Sequence, residues 1–163
     1  MEPVIAPFTP DKLEETQTFL RIALRDNEFI MDFATRDADL SDIAARYQQA
    51  GGEFWLLLSG TDQVVIGTLG LQRVNDDTLE LRRFVVHEPM RNHGFGEKML
   101  LTALDYAVRV RCNRIRLMLP AQQDAAMHLL KKHRFHIIKR FSDDPLSNCF
   151  MEHRIQQTPP AAT

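Results

Sequence analysis

The sequence predicts an α/β domain of the α+β type. Three observations carry this: seven short segments have strand character, four have helical periodicity, and one glycine turn joins a strand to a helix. At 163 residues the chain can bury a sizeable core without disulfides or metals, so residues 1–155 are expected to form one domain. Apolar residues make up 44% and charged residues 26%, which excludes disordered and fibrous classes. A net charge of −2 leaves no bulk basic surface, which argues against nucleic acid as a partner.

Taken in order, Pro3 to Phe8 reads as a short edge strand. Thr9-Pro10 then starts a helix, because proline fits a first position whose N–H would have no helical partner. Leu13, Phe19, Leu20 and Leu24 form its apolar face. Asp39 reads as the cap of a second helix, whose Leu40, Ile43, Ala44 and Tyr47 recur at i, i+3, i+4 and i+7 before Gly51-Gly52 ends it. EFWLLLS and QVVIGTLGLQRV are apolar and rich in β-branched and aromatic residues, and the turn Gly60-Thr61-Asp62 between them predicts an antiparallel hairpin. Phe54 and Trp55 in the first of these belong to core or cleft-wall packing rather than to a base-stacking platform.

TLELRRFVVH supplies the next strand, after Asn75-Asp76-Asp77. Met99, Leu100, Ala103, Leu104, Ala107 and Val108 make a helical stripe that begins just after Gly96. RIRLMLP is a strand, a helix runs near Gln123 to His133, and FHIIKRF and NCFMEHRI close the sheet on either side of the loop SDDPLS. Residues 156–163, QQTPPAAT, are too poor in apolar side chains to pack and are expected to form a flexible tail. Cys112 and Cys149 have neither metal-ligand nor secreted-disulfide spacing, which suits core filling in a reducing cytoplasm. His128 and His133 lie five apart, a poor metal-ligand separation on a helix, so no metal is expected. No apolar run approaches the length of a membrane span.

The chemistry concentrates in residues 90–101, MRNHGFGEKMLL. Unpaired N–H groups at a helix N-terminus favour an anion, and glycines let a phosphate approach the backbone. A plain strand-to-helix turn is the alternative. The dinucleotide fingerprint would need a third glycine where Met99 stands, and a phosphate-binding Walker loop would need a Lys-Ser/Thr pair that is missing.

Arg91, Gly94 and Gly96 fill the R/Q-x-x-G-x-G/A pattern, and the chain resembles the GCN5-related N-acetyltransferase (GNAT) family. FVVHEPMRNHGFGEKMLL is similar to that family's strand-loop-helix core, with the usual proline displaced by one place to Pro89. The resemblance implies a mixed, mostly antiparallel sheet of about seven strands and four helices, splayed between its central strands around acetyl-CoA. It implies that Phe84, Val85 and Val86 line the pantetheine arm with backbone groups. Arg91, Asn92, His93, Gly94, Phe95, Gly96 and Glu97 would supply amides around the pyrophosphate. The His93 side chain reads as solvent-facing, with no part in catalysis.

Direct transfer to an amine needs a base, since a lysine-like amine with a pKa near ~10.4 is protonated at neutral pH. Glu80, eleven residues before Arg91, stands where some histone-modifying relatives carry a catalytic glutamate. The competing reading is that Glu80 pairs with Arg82 or with a basic residue of a neighbouring strand. Relatives often carry a tyrosine near the sulfur on the last helix. In the corresponding QDAAMHLLKKHRF, Gln123 takes the family's asparagine position, Ala126 and Phe135 fit, Leu130 replaces the tyrosine and Arg134 the glycine. Water, Ser142 or Ser147 remain as proton sources.

The expected function is N-acetyl transfer from acetyl-CoA to a small-molecule, amino-acid or peptide amine in the cytoplasm, with a homodimer as an allowed assembly. Acceptor choice is expected from the first two helices and the SDDPLS loop, where the acidic RDADLSD permits a cationic acceptor. The rivals are a CoA-binding sensor or interaction module that has lost turnover and a nucleotide-phosphate-binding protein.

Overall fold

A computed structural model describes residues 2–25, 32–120, 124–141 and 148–156. Gln123, the SDDPLS loop with Ser142 and Ser147, and the tail from residue 157 lie outside the described residues. The strands are β1 (Val4–Pro7), β2 (Glu53–Leu58), β3 (Val65–Arg73), β4 (Thr78–Val86), β5 (Arg114–Pro120), β6 (His136–Arg140) and β7 (Asn148–Arg154). They form one seven-stranded sheet in the order β1-β2-β3-β4-β5-β7-β6. Three α-helices, α1 (Leu13–Arg25), α2 (Phe95–Arg109) and α3 (Asp124–Lys132), and a π-helical turn at Ala44–Gln48 complete the described architecture. The sheet is mixed: β4 runs parallel to β5 over Thr78↔Arg114, Leu79↔Ile115 and Glu80↔Arg116, while β1–β2, β2–β3, β5–β7 and β6–β7 are antiparallel. None of the described helices is long and apolar enough to cross a membrane.

Two compact units divide the chain, with β4 and α2 contributing to both. The first comprises Met1–Arg73 and Leu81–Ala103. Its core gathers Phe8, Leu20, Leu40, Ile43, Tyr47, Phe54, Leu56, Leu58 and Val65. Phe54 anchors it, meeting Phe8 and Tyr47 edge-on at centroid distances of 6.0 and 5.0 Å, the geometry the ring quadrupoles favour. The second unit comprises Val74–Glu80 and Leu104–Thr163. There β5 and β7 pair through seven positions, and Leu79, Ile115, Leu117, Phe135, Cys149 and Met151 are buried. Both cysteines are free and buried, as core filler requires.

The second helix departs from expectation. The apolar spacing at Leu40, Ile43 and Tyr47 is real, for all three are fully buried, but a 3₁₀ turn at Ala38–Leu40 and the π turn replace a continuous α-helix. Asp39 is not the cap. Asp42 does that work, its Oδ1 accepting the Ala45 N–H at 3.1 Å. Wider i+5 bonds, Gln49 N–H to the Ala44 carbonyl and Gly52 N–H to the Tyr47 carbonyl, both 2.8 Å, swing the Tyr47 ring into the core. Its hydroxyl donates to Asp39 Oδ2 at 2.5 Å. Val108 also departs from its stripe, standing 48% exposed near the end of α2.

Asp39 is instead held by Arg83 of β4. Arg83 Nη2 and Nε donate to Asp39 Oδ1 and Oδ2 at 2.6 and 3.1 Å, and Nη1 lies 3.0 Å from Asp37 Oδ1. Both carboxylates are buried, so the acidity of RDADLSD is largely consumed inside the first unit rather than presented to a ligand. Burial works against ionising Asp39, but the hydrogen bonds from Arg83 and Tyr47 outweigh it and hold the carboxyl below its ordinary range. The unfolded chain therefore binds this proton more readily than the folded one, and acid favours unfolding.

Stability against denaturant is accordingly full well above pH 3.8 and falls as pH drops through the lowered folded value, whereas Asp39→Asn loses about 2–4 kcal/mol at neutral pH and shows a shallower acid dependence. Gly52→Ala costs about 3 kcal/mol or more in the same melts, because a Cβ there would collide with the Leu71 carbonyl oxygen, and backbone cannot yield as a side chain can.

Candidate functional site

The site is built outward from the end of β4. Val85 packs against the core of the first unit, so the two-residue period of a strand turns Phe84 and Val86 to the opposite face. The His87 N–H donates to the Ile66 carbonyl at 2.8 Å and fixes the strand's exit. Next comes a 3₁₀ turn, Glu88–Met90, with Pro89 in its opening positions. Arg91 closes that turn twice: its N–H donates to the Glu88 carbonyl at 3.1 Å, and its Nε reaches back to the Val86 carbonyl at 3.0 Å. The arginine of the signature thus buckles the loop to the strand it leaves.

Asn92 and Gly94 both take left-handed backbone, φ +66° and +82°. Alternation of this kind aims successive N–H groups toward a common concavity. The Gly94 carbonyl accepts from the Lys98 N–H at 3.1 Å, the first rung of α2, which leaves the N–H groups of Phe95, Gly96 and Glu97 ahead of the helical ladder. A Cβ built on Gly94 would meet nothing within 4 Å, so the approach is open. Met99, Leu100 and Ala103, one turn on, are fully buried and anchor the helix behind the turn. The residues therefore fit a phosphate-bearing ligand: donors, a helix dipole and space coincide. His93 is exposed, its ring tilted beside Phe95 at 6.4 Å.

Glu80 belongs to the second unit. Its Oε2 accepts from Arg116 Nε at 3.2 Å, and Nη2 lies at the same distance, the two residues facing each other in the β4–β5 register. Arg116 is a basic residue of a neighbouring strand, the kind of partner the sequence offered for Glu80. Arg82 donates to Gln72 Oε1 at 3.0 Å. Leu130, where relatives often place a tyrosine, is 1% exposed, and its carbonyl accepts the Phe135 N–H that ends α3. His128 is exposed and His133 half-buried, while Phe54 and Trp55 are core residues.

Sequence reasoning missed Arg83. Its φ of +55° within a strand is unusual for a residue with a side chain, and Thr68 Oγ1 fixes its carbonyl from β3 at 2.6 Å. The available signal was a pair of arginines, Arg82-Arg83, inside an otherwise apolar strand.

A seven-stranded mixed sheet carrying a left-handed glycine turn between a strand and a helix defines a protein of the α+β class. The chain belongs to the acetyltransferase (GNAT) family, whose model matches residues 17–135. Among curated proteins, no sequence matches. Solved structures agree on the fold. A GNAT acetyltransferase from Staphylococcus aureus superposes with a TM-score of 0.82 at 24% identity, covering 94% of this chain and 99% of its own. The yncA protein of Salmonella typhimurium, solved with its cofactor acetyl-CoA, gives 0.72 at 19%, covering 99% and 100%. Spermidine N-acetyltransferase from Vibrio cholerae, in complex with CoA and spermine, gives 0.72 at 13%, covering 94% and 95%.

Gly94→Ala tests the turn. With open space but a left-handed φ, the variant loses about 1 kcal/mol of stability in denaturant melts and keeps its fold, a strain cost without a clash.

Proposed function

We propose that the chain is an acetyl-CoA-dependent N-acetyltransferase that passes the acetyl group directly to a primary amine of a small molecule, amino acid or peptide. The observation that carries this reading is the left-handed turn from Asn92 to Gly94 opening α2, in a chain of the GNAT family. In this proposal the N–H groups of Phe95, Gly96 and Glu97 bind the pyrophosphate, the backbone of Phe84, Val85 and Val86 holds the pantetheine arm, and Gln123 contributes a further contact to the cofactor. The acetyl-CoA and spermine bound by the Salmonella and Vibrio proteins support the donor and the amine class.

Bound there, the thioester supplies an activated acetyl group. The acceptor ammonium gives up one proton before its nitrogen bonds to the carbonyl carbon and a second as the amide forms. The C–S bond breaks, and the sulfur takes up one proton. Glu80 is the candidate base. Its Oε2 accepts from Arg116 Nε at 3.2 Å. Leu130 has no proton to give. A thiol near pKa ~8.5 is a fair leaving group without an acid, and water suffices for the sulfur.

The buried Leu130 and the engaged Glu80 also favour a second reading, a CoA-binding module with little turnover. An acetyl-CoA-dependent thiol-release screen across amines, amino acids and peptides separates the two: turnover with any acceptor supports the enzyme, and binding without thiol release across the panel supports the module. CoA at a hundredfold excess over its Kd stabilises the folded protein by about 2.7 kcal/mol in thermal melts, and absence of any shift overturns both. Glu80→Gln lowers kcat by about 100-fold if Glu80 is the base. It changes stability by under about 1 kcal/mol if the carboxylate serves only its partly exposed ion pair.

A further inference from the structure

Arg83 combines three properties that a sheet residue seldom shows together. Its backbone is left-handed at φ +55°, its side chain is 12% exposed, and its guanidinium is shared by two buried carboxylates 44 and 46 positions earlier in the chain. A residue with a Cβ holds such a φ only where its surroundings over-determine it. Here they do so from both ends. Thr68 Oγ1, itself buried, donates to the Arg83 carbonyl at 2.6 Å, and the side chain is locked by Asp39 in a two-pronged pair and by Asp37 at 3.0 Å. The acids are held in turn. Tyr47 donates to Asp39 Oδ2, and the Asp32 N–H donates to Asp37 Oδ2 at 2.9 Å. A left-handed residue in a strand offsets the pleat and re-aims the residues after it. In this strand those residues are Phe84, Val85 and Val86.

We propose that Arg83 is a positioning residue: clamped by Asp37 and Asp39, it fixes the offset in β4 that aims the backbone groups of Phe84–Val86 at the acyl donor. The inference rests on the acetyltransferase reading for its ligand, but not for its geometry. It ties the segment from Asp32 to Tyr47, far from the glycine turn in sequence, to the accuracy of donor binding. Lysine cannot replace this arginine fully, because a single ammonium cannot span two carboxylates in a planar fork.

The test uses Arg83→Gly, which accepts the left-handed φ without strain while removing the guanidinium; its added backbone freedom is controlled by the second variant. Asp39→Asn attacks the clamp from the other side, and Arg83→Lys serves as the conservative rescue. Amide hydrogen exchange of the ligand-free protein at residues 84–86 is expected to accelerate at least tenfold in Arg83→Gly and in Asp39→Asn, with β5 and β7 unchanged. In the same two variants the KM for acetyl-CoA is expected to rise about tenfold with a smaller change in kcat. Arg83→Lys falls between them and the parent protein on both readouts. Both clamp variants melt lower in either case; a merely structural clamp would instead speed exchange throughout the first unit and leave the KM where it was, and that result overturns the proposal. So does unchanged exchange at 84–86 in both clamp variants. If the parent protein neither binds CoA nor releases thiol, the acetyltransferase reading fails, and donor positioning with it. Exchange at 84–86 then still reports whether the clamp holds the backbone.

Discussion

The arginine held between Asp37 and Asp39 is the constraint on which the first unit turns. Two carboxylates taken out of water need cations beside them, and Arg83 makes the shortest ion pairs to both, with Arg36 and Arg82 farther off at 3.4 and 3.7 Å. The cluster joins the segment after α1 to the middle of β4. From there restraint passes along the chain: Arg83 sets β4, β4 ends at Val86, and Arg91 hooks the next turn to the Val86 carbonyl. The left-handed turn then begins α2, which the burial of Met99 and Leu100 holds from behind. A charge cluster and a hydrophobic helix face thus locate the same few amides from opposite sides.

Those amides belong to the main chain, which has a bearing on how the fold persists. Superpositions at TM-scores of 0.72 to 0.82 accompany identities of only 13% to 24%. A cradle of N–H groups asks of the sequence a left-handed turn and a helix start, and leaves most side chains between Asn92 and Glu97 free to vary. His93, exposed beside Phe95, is such a residue. The demand falls on Gly94 and on Arg91, whose work is conformational.

Much of this was legible in the sequence because it is local. Apolar runs rich in β-branched and aromatic residues located β2 and β3 closely, and the glycine turn declared itself by residue type. What escaped depends on partners distant along the chain. Asp39 looked like a cap because aspartate before an apolar helical pattern usually is one, and Arg83, which claims it, lies 44 residues away. A basic partner for Glu80 on a neighbouring strand was among the sequence readings, but its identity as Arg116, 36 residues on, follows only from the β4–β5 register. The spacing of Leu40, Ile43 and Tyr47 pointed correctly to burial but not to the type of helix, since so short a stretch satisfies α and π periods alike. The fold was readable from pattern, the glycine turn from motif, and the Arg83 cluster from neither.

The π turn at Ala44–Gln48 has a further consequence for insertions and deletions. Such a turn is a helix carrying one residue beyond what its hydrogen bonds need, and in an α-helix each residue advances the face by about 100°. Removing a residue here would convert the turn to regular helix while rotating everything before it relative to everything after. Tyr47 would then leave either Phe54 or Asp39, for no single orientation of a shortened turn serves both. A stretch that looks like a loosely wound connection between α1 and β2 is therefore among the least tolerant of a change in length, and its residue count, as much as its chemistry, keeps β4 in place.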